Sequence, residues 1–211
     1  MTYPAFKKIP RLEKLHWSIT EKIDGTNGLV YIVDKETFNP DDVLLAQLNS
    51  CWENTAWVVC AGSRSRWLNS TSAGDNYGFC KWVAANADQL ISLLGPGYHY
   101  GEWWGQGIQR GYGQLEKRFS LFTPQRYPHI PQAGSPDAGG CIVSTCPLLF
   151  YGTRPGSLSD TVDIAEANLR LNGSWAAAGY ANPEGLVVYL GGTLHKVIIN
   201  DGPKEASRDG A

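Results

Sequence analysis

The chain has 211 residues, of which 43% are hydrophobic and 18% charged, a composition typical of a packed domain rather than a disordered chain. Its formal net charge is −2, so no global positive field attracts a polyanion, and any contact with nucleic acid depends on local patches. No apolar run is long enough to span a membrane. Its five cysteines, without a CxxC pair, favour free thiols in a reducing cytoplasm.

Short apolar runs predict strands along most of the chain, beginning with HWSITEK and GLVYIVD on either side of the loop EKIDGTNG. Further strands are predicted for TAWVVCAGS, GYHYGEWW, KRFSLFT and CPLLFYG. The last strands, in EGLVVYLGGTLHKVIIND, form a predicted hairpin that turns at Gly191-Gly192.

Helical spacing of apolar residues predicts a helix from Asp75 to Leu94, with Asp75 as its N-cap, and a second helix from Ser159 to Leu171. The Pro- and Gly-rich stretch 128–147 predicts an excursion on the surface. Strands mixed with two helices, in no regular βαβ order, predict an α+β fold with mainly antiparallel sheets. We expect one domain over residues 1–211.

Chemically informative residues occur as an ordered set rather than as one motif. A lysine beside Asp-Gly, as in EKIDGTNG, is by itself a weak signal, because lysines in hairpin loops are usually solvated. Downstream of Lys22, however, come AGSRSRWL, YGEWWGQG, RFSLFTPQRY, PEGLVVYL and LHKVIIND, in that order.

In these segments the chain resembles the covalent nucleotidyltransferase superfamily of ATP-dependent DNA ligases, RNA ligases and mRNA capping enzymes. EKIDGTN is similar to motif I of that superfamily, YGEWWG to motif III, RFSLFTPQRY to motif IIIa, EGLVVY to motif IV and LHKVII to motif V. Thr-Glu before the lysine and Thr-Asn after Asp-Gly are most similar to the nucleotidyltransferase domain of type 2 RNA ligases and their phage relatives. DNA ligases and capping enzymes usually carry Arg in place of Asn27, and an oligonucleotide-binding barrel after motif V, which is not expected here.

The resemblance implies sheets that enclose a nucleotide cleft, with ATP and Mg²⁺ or Mn²⁺ as cofactors. Lys22 would form a covalent lysyl-AMP, AMP would pass to a 5′-phosphate, and a 3′-hydroxyl would then seal the strand. RNA is the expected substrate, and a cytoplasmic monomer of phage origin the expected context. A minimal DNA ligase, a GTP-using capping enzyme and a nucleotide-binding module that self-adenylylates without joining strands unaided remain open alternatives.

The resemblance also implies roles for other residues. Glu184 would hold the metal, and Lys196 would offset charge on the α-phosphate. The remaining nucleotide-binding positions would be Glu21 (adenine), Ile23, Asn27 (phosphates or loop), Arg64 (phosphate or ribose), Glu102 (ribose) and Phe122 (purine stacking). Arg66 competes with Arg64 for its role, Glu102 could instead pair with Arg110, and Phe122 could be a core residue. A second lysine is common in motif V where this chain has Ile198, and Lys204 could supply that charge.

A lysine must lose its proton before it attacks a phosphate, and its free pKa of about 10.4 leaves roughly one molecule in a thousand neutral near pH 7. The hairpin offers a geometric test of Glu184 and Lys196 as partners in this chemistry. Side chains alternate along strands and cross-strand partners share a face. A two-residue turn would place Glu184 and Lys196 on opposite faces, so a three-residue loop or a bulge is expected, and a tight two-residue turn would count against the assignment.

Overall fold

A computed structural model describes residues 11, 15–38, 52–53, 56–71 and 73–199 of the chain. In chain order the strands are β1 (Trp17–Lys22), β2 (Thr26–Asp34), β3 (Trp52–Glu53), β4 (Trp57–Gly62), β5 (Gly97–Gly105), β6 (Lys117–Leu121), β7 (Val143–Thr145), β8 (Leu148–Gly152), β9 (Gly185–Leu190) and β10 (Thr193–Ile198). The helices are α1 (Phe79–Ala85), α2 (Ala87–Leu94) and α3 (Leu158–Asn172).

The strands form two sheets, which confirms the predicted α+β class with mainly antiparallel pairing. The first sheet has the order β10-β9-β1-β8 and the second the order β3-β4-β2-β5-β6-β7. Only the pairing of β6 with β7 is parallel among the described strand pairs. Lys22 ends β1 in the first sheet and Thr26 begins β2 in the second. The motif I loop is therefore the junction where the chain crosses between the two sheets.

Each sheet has its own core. Helices α1 and α2 pack on one face of the second sheet, in a cluster that contains Val30, Ile32, Phe79, Leu90 and Phe119. Alternation along β2 explains this, because residues 28, 30 and 32 are buried while their neighbours are only half-buried. Helix α3 covers the first sheet through Ala165 and Leu169, which pack with Ile19 and Leu186.

The first predicted helix is present but divided. Asn86 (φ −116°, ψ 14°) separates α1 from α2, and α1 begins after Gly78 rather than at Asp75. Asn76 and Tyr77 adopt left-handed φ values of 44° and 57°, so the chain cannot be helical there. Asp75 accepts a hydrogen bond from the Lys81 N–H (3.0 Å) but is not the N-cap. The second predicted helix is confirmed, one residue longer at each end.

The prediction of a surface excursion over residues 128–147 is wrong for its second half. Val143–Thr145 form β7, which pairs with β6 at the edge of the second sheet. Val143, Thr145 and Cys146 are buried. A three-residue strand has too short an apolar run to stand out from the Pro/Gly-rich segment that precedes it.

The described cysteines follow the expectation only in part. Cys80, Cys141 and Cys146 are free thiols, whereas Cys60 is disulfide-bonded, so the prediction of free thiols is wrong at that position. In the described part of the chain, none of the helices meets the length and apolarity of a membrane span; the longest, α3, has 15 residues.

The expected three-residue loop in the last hairpin is wrong. Thr193 pairs with Leu190, so Gly191 and Gly192 form a two-residue turn, and Lys196 lies opposite Val187 without a bulge. Both turn glycines have positive φ (55° and 101°), as a tight hairpin turn with matching strand twist requires. The consequence for Glu184 and Lys196 depends on where Glu184 lies. Glu184 precedes the first residue of β9.

Candidate active site

A cleft with a volume of about 910 Å³ lies at the junction of the two sheets, within the size range of small-molecule sites. The first sheet contributes Thr20, Lys22, Val187 and Lys196 to its walls, and the second contributes Asn27 and Glu102. Loops add Arg64, Arg66, Asn76 and Phe122. All of the residues predicted to bind nucleotide line this cleft, whereas Glu184 reaches it through its contact with Lys22.

Lys22 and Glu184 form the central charged contact of the cleft. The Lys22 Nζ lies 2.5 Å from Glu184 Oε2, and the two side chains are only 26% and 15% exposed. Lys22 is paired with Gly185 across β1 and β9, so Glu184 lies just beyond the end of that pairing. Strict alternation no longer constrains it there.

Gly185 is the reason that Glu184 can turn toward the lysine. Its φ is +158°, and a Cβ at this position would collide with the backbone carbonyl of Val197. Lys22 pairs with Gly185 and Lys196 pairs with Val187. Because Gly185 and Val187 are two residues apart on β9, they lie on one face, and Lys22 and Lys196 therefore share the face of the cleft. A two-residue turn places Glu184 and Lys196 on opposite faces only if Glu184 belongs to the regular strand. Glu184 lies before the first residue of β9, so the turn does not count against its assignment.

Glu102 is the second carboxylate of the cleft. It is buried, and its Oε1 accepts a hydrogen bond from the Gly25 N–H (3.0 Å). Burial raises the pKa of Glu102 to about 7, although the nearby Lys22 charge acts in the opposite direction. Gly25 approaches β5 so closely that a Cβ would lie 2.5 Å from the Trp103 carbonyl oxygen. The glycine of motif I is thus required by the packing of this loop against the strand that carries Glu102.

The motif I loop is held by Arg110 and Tyr112, whose contacts with this loop were not predicted from the sequence. Arg110 Nε donates to Asp24 Oδ2 (2.7 Å), so Arg110 pairs with Asp24 rather than with Glu102. The Tyr112 hydroxyl accepts a hydrogen bond from the Asp24 N–H (3.0 Å). Burial raises the pKa of Tyr112. These contacts give Asp24 a structural role in the loop that precedes β2.

Glu21 is buried, with 1% of its surface exposed. Its carboxylate accepts hydrogen bonds from Ser174 Oγ (2.6 Å), the Trp175 N–H (2.8 Å) and the Ala176 N–H (2.9 Å). Desolvation raises the pKa of Glu21, and these three hydrogen bonds lower it. The carboxylate of Glu21, the residue directly before Lys22, therefore anchors a loop from a distant part of the chain. A role in reading adenine stays a prediction.

The other predicted residues differ in how freely they face the cleft. Arg64 Nε donates to Asn27 Oδ1 (2.8 Å), and this pair lies at the exposed rim. Phe122 is 38% exposed, which agrees with a stacking surface better than with a core position. Ile23 is buried in a cluster with Trp104 and Tyr112, so its side chain supports the cleft floor. Lys196 is exposed on β10, and Lys204 lies outside the described residues.

The described residues contain no group of three or more His, Cys, Asp or Glu side chains that could hold a metal ion by themselves. Glu184 is nonetheless close enough to Glu102 for its charge to help raise the pKa of Glu102. Magnesium and manganese commonly use one or two carboxylates and complete their shell with substrate phosphates and water. The cleft fits that kind of site, and Glu184 is the residue that could hold the cation.

Several solved structures share this fold. The chain is similar to Naegleria gruberi RNA ligase, in a variant with ATP and Mn, at 18% identity and a TM-score of 0.51, covering 89% of this chain and 50% of that one. A variant with AMP and Mn gives 18% identity and a TM-score of 0.53 over 89% and 50% of the two chains. An apo variant gives 19% and 0.52 over the same shares. The chain thus spans about half the length of these relatives.

None of the curated proteins matches the chain. The family model described as RNA ligase matches residues 15–189, which is most of the chain and includes Lys22, Glu102 and Glu184. The match ends within the last hairpin, before the motif V segment. Because the model covers well over half of the sequence, the chain belongs to the RNA ligase family.

Proposed function

We propose that this chain carries out ATP-dependent RNA ligation, with Lys22 as the residue that accepts AMP. The observation that carries the proposal is the position of Lys22 Nζ, which lies in the cleft between the two sheets, 2.5 Å from Glu184 Oε2. The amine attacks the α-phosphorus of ATP, a P–N bond forms, and pyrophosphate leaves with the electron pair of the broken P–O bond. The Lys22 ammonium gives one proton to solvent before the attack, and the nitrogen gives a second proton to solvent as the phosphoramidate forms.

The cleft supplies positions for each part of the nucleotide. Phe122 presents an exposed ring that can stack on a purine. Glu102 has an acceptor oxygen for the ribose hydroxyls in addition to the oxygen that binds the Gly25 N–H. Arg64, held by Asn27, and Lys196 bring positive charge to the phosphates from the two sides of the cleft. Both cations are exposed, so solvent and salt reduce their Coulomb attraction to the triphosphate.

Glu184 would hold a divalent cation, which would offset charge on the phosphates of ATP. The similar structures with ATP and Mn, and with AMP and Mn, support ATP and a divalent cation as ligands of this chain too. In the free protein the Lys22–Glu184 pair holds the amine at the position from which it attacks.

Membership in the RNA ligase family favours an RNA strand as the acceptor of AMP. The lysyl-AMP transfers AMP to a 5′-phosphate, and a 3′-hydroxyl then displaces AMP to join the strands. A second candidate is a module that adenylylates itself and requires additional protein to join strands. The observation in its favour is that the chain spans about half the length of its structural relatives. A minimal DNA ligase is the third. Cytoplasmic location, monomeric state and phage origin stay predictions from the sequence.

A pulse-chase experiment separates these candidates. The protein is incubated with Mn²⁺ and ATP labelled at the α-phosphate, freed of nucleotide, and divided among 5′-phosphorylated single-stranded RNA, nicked duplex RNA and nicked DNA. An RNA ligase loses the protein-bound label to RNA and yields joined RNA. A self-adenylylating module keeps the label on the protein or stops at adenylylated RNA, and a DNA ligase joins only the nicked DNA. Absence of protein-bound label with both ATP and GTP would exclude the proposal.

A further inference from the structure

Outside the cleft, the second sheet carries an unusual row of aromatic side chains. Alternation places Tyr31 of β2 and Tyr98 and Tyr100 of β5 on the face opposite the helix-covered core, which is the face that carries Glu102. Phe122 continues the β5–β6 register, because its N–H donates to the Tyr100 carbonyl (3.0 Å). We name Tyr31, Tyr98, Tyr100 and Phe122 the aromatic track.

The rings of the track are arranged in order, and all of them except the half-buried Tyr31 are exposed to solvent. Tyr31 and Tyr98 stack with centroids 4.2 Å apart and an angle of 11° between their planes. Tyr98 and Tyr100 have centroids 6.4 Å apart and an angle of 15°. Tyr98 is 45% and Tyr100 is 55% exposed. Large aromatic surfaces that are ordered yet exposed are characteristic of binding sites rather than of a core.

Burial along β5 shows where the track meets the cleft. Tyr98 and Tyr100 are exposed, whereas the residues from Gly101 to Gly105 are buried on both faces. Phe122 lies at this boundary and belongs to both the cleft and the track. A ligand whose end occupies the cleft therefore meets Tyr100 next and then Tyr98 if it continues along the same face.

Positive charge accompanies the rings. Arg126 is exposed, and its Nη1 donates to the Tyr98 carbonyl (3.0 Å). Arg64 and Arg66 are exposed at the rim of the cleft. Proteins bind single-stranded nucleic acid by combining aromatic rings, on which successive bases stack, with cations that follow the phosphates. Aromatic residues on an open sheet face are one way in which RNA bases are bound.

We propose that the aromatic track binds the unpaired bases of the polynucleotide strand whose end enters the cleft. The occupant is a single strand rather than a duplex, because paired bases are stacked on each other and do not offer their faces to the rings. The inference rests on the proposed function for the identity of the strand. The binding site itself is supported by three observations, which are its continuity with the cleft, the two exposed rings and the flanking arginines.

The test is the affinity for a fluorescent, 5′-phosphorylated RNA single strand of about twelve nucleotides, a length within known site sizes. Fluorescence anisotropy is measured for wild type, Tyr98→Ala/Tyr100→Ala and Tyr98→Phe/Tyr100→Phe. The matched control is Tyr151→Ala, which removes an exposed strand tyrosine (75% exposed) from the other sheet. Duplex RNA and single-stranded DNA of the same sequence serve as comparison ligands.

The double alanine variant is expected to bind the single strand about twenty-five-fold more weakly or worse, since each of the two base–ring stacks contributes roughly fivefold or more. The Phe variant and Tyr151→Ala should bind as wild type does, and duplex binding should not change. Single-stranded DNA should lose affinity in parallel if the rings read only the base faces. Tyr100→Ala alone, which leaves the Tyr31–Tyr98 stack intact, should weaken binding roughly fivefold and serves if the double variant fails to fold.

Lysyl-AMP formation is measured in the same preparations and should be unchanged by the track substitutions. Equal single-strand affinity of wild type and the alanine variants would overturn the inference, even if lysyl-AMP forms normally. Absence of single-strand binding by wild type would overturn it too. If no lysyl-AMP forms while binding still depends on Tyr98 and Tyr100, the proposed function fails and the track stands.

Discussion

Two lysine–glutamate pairs in this molecule have almost the same geometry and very different surroundings. Lys22 and Glu184 lie 2.5 Å apart with 26% and 15% of their side chains exposed. Lys35 and Glu53 lie 2.6 Å apart, but their side chains are 48% and 50% exposed. Solvent screens the second pair and little holds it in place, so its contribution is small. The comparison teaches that the contact distance says nothing about function, whereas the cleft around the contact does.

The largest expected difference between the pairs concerns the lysines. Lys22→Ala should abolish protein-bound label from α-labelled ATP, because it removes the nucleophile. Lys22→Arg should abolish it as well, since a guanidinium stays protonated and cannot attack. Denaturing electrophoresis after incubation with Mn²⁺ measures the label. Lys35→Ala is the matched control and should retain wild-type labelling. Substantial label on Lys22→Ala would remove the distinction between the two pairs.

Next in size is the effect of the two glutamates. Glu184→Gln keeps the shape of the side chain but loses its charge. We expect lysyl-AMP formation to slow by about a hundredfold or more, because the carboxylate proposed to position the amine and hold the cation is gone. Single-turnover rates at several Mn²⁺ concentrations measure the effect. Glu53→Gln, the matched change in the surface pair, should leave the rate unaltered. Equal rates for both variants would show that Glu184 acts only as another surface carboxylate.

Glu21 sharpens the comparison by separating structural support from chemistry. Glu21→Ala leaves the Trp175 and Ala176 N–H groups and the Ser174 hydroxyl without their acceptor, so the free energy of unfolding should fall by about 3–5 kcal/mol. Denaturant titration measures it. Glu21→Gln retains one acceptor oxygen and should lose less. Wild-type stability of Glu21→Ala would mean that the loop does not depend on this carboxylate.

Glu102 makes a prediction about pH. Its pKa is raised to about 7 from 4.5 by burial, so between these values the folded state binds more protons than the unfolded state. The free energy of unfolding should therefore decrease as pH rises through this window, by up to about 3 kcal/mol from this residue. Glu102→Gln removes the contribution. The difference in the free energy of unfolding between wild type and Glu102→Gln, measured across pH, separates the contribution of Glu102 from that of Glu21. A difference that stays constant with pH would contradict this prediction.

The smallest expected effect belongs to the surface pair itself. Lys35→Ala should change the free energy of unfolding by less than about 0.5 kcal/mol, because both side chains are half exposed and pay entropy to remain in contact. Thermal unfolding at low and high salt measures it. A loss as large as that of Glu21→Ala would show that exposure is a poor guide to the importance of the two pairs.

Much of the site was predictable because its residues lie in motifs with a fixed order. Lys22, Glu102 and Phe122 do line one cleft, as the order of their segments implied. Apart from β3 and β7, the described strands were predictable as well, and so was α3, since alternation and helical spacing are local properties of the sequence. The division of α1 from α2 was not, because nothing in that run of good helix formers marks Asn86 as a break.

What escaped prediction depends on contacts between distant parts of the chain. Glu21 binds Ser174, 153 residues away, and Asp24 binds Arg110, 86 residues away. No periodicity records such pairs. The hairpin prediction failed for a different reason. It assumed that Glu184 belongs to β9, whereas Gly185 allows the backbone to leave the regular alternation one residue earlier.

The most direct test of the central claim is to locate AMP on the protein. Trypsin cleaves after Lys14, Lys22 and Lys35, and an AMP group on Lys22 blocks cleavage there. Mass spectrometry of protein incubated with ATP and Mn²⁺ should therefore find AMP on one peptide, residues 15–35, with the adduct at Lys22. An adduct at Lys35, at Lys196 or at no lysine, in protein that has bound nucleotide, would contradict the account.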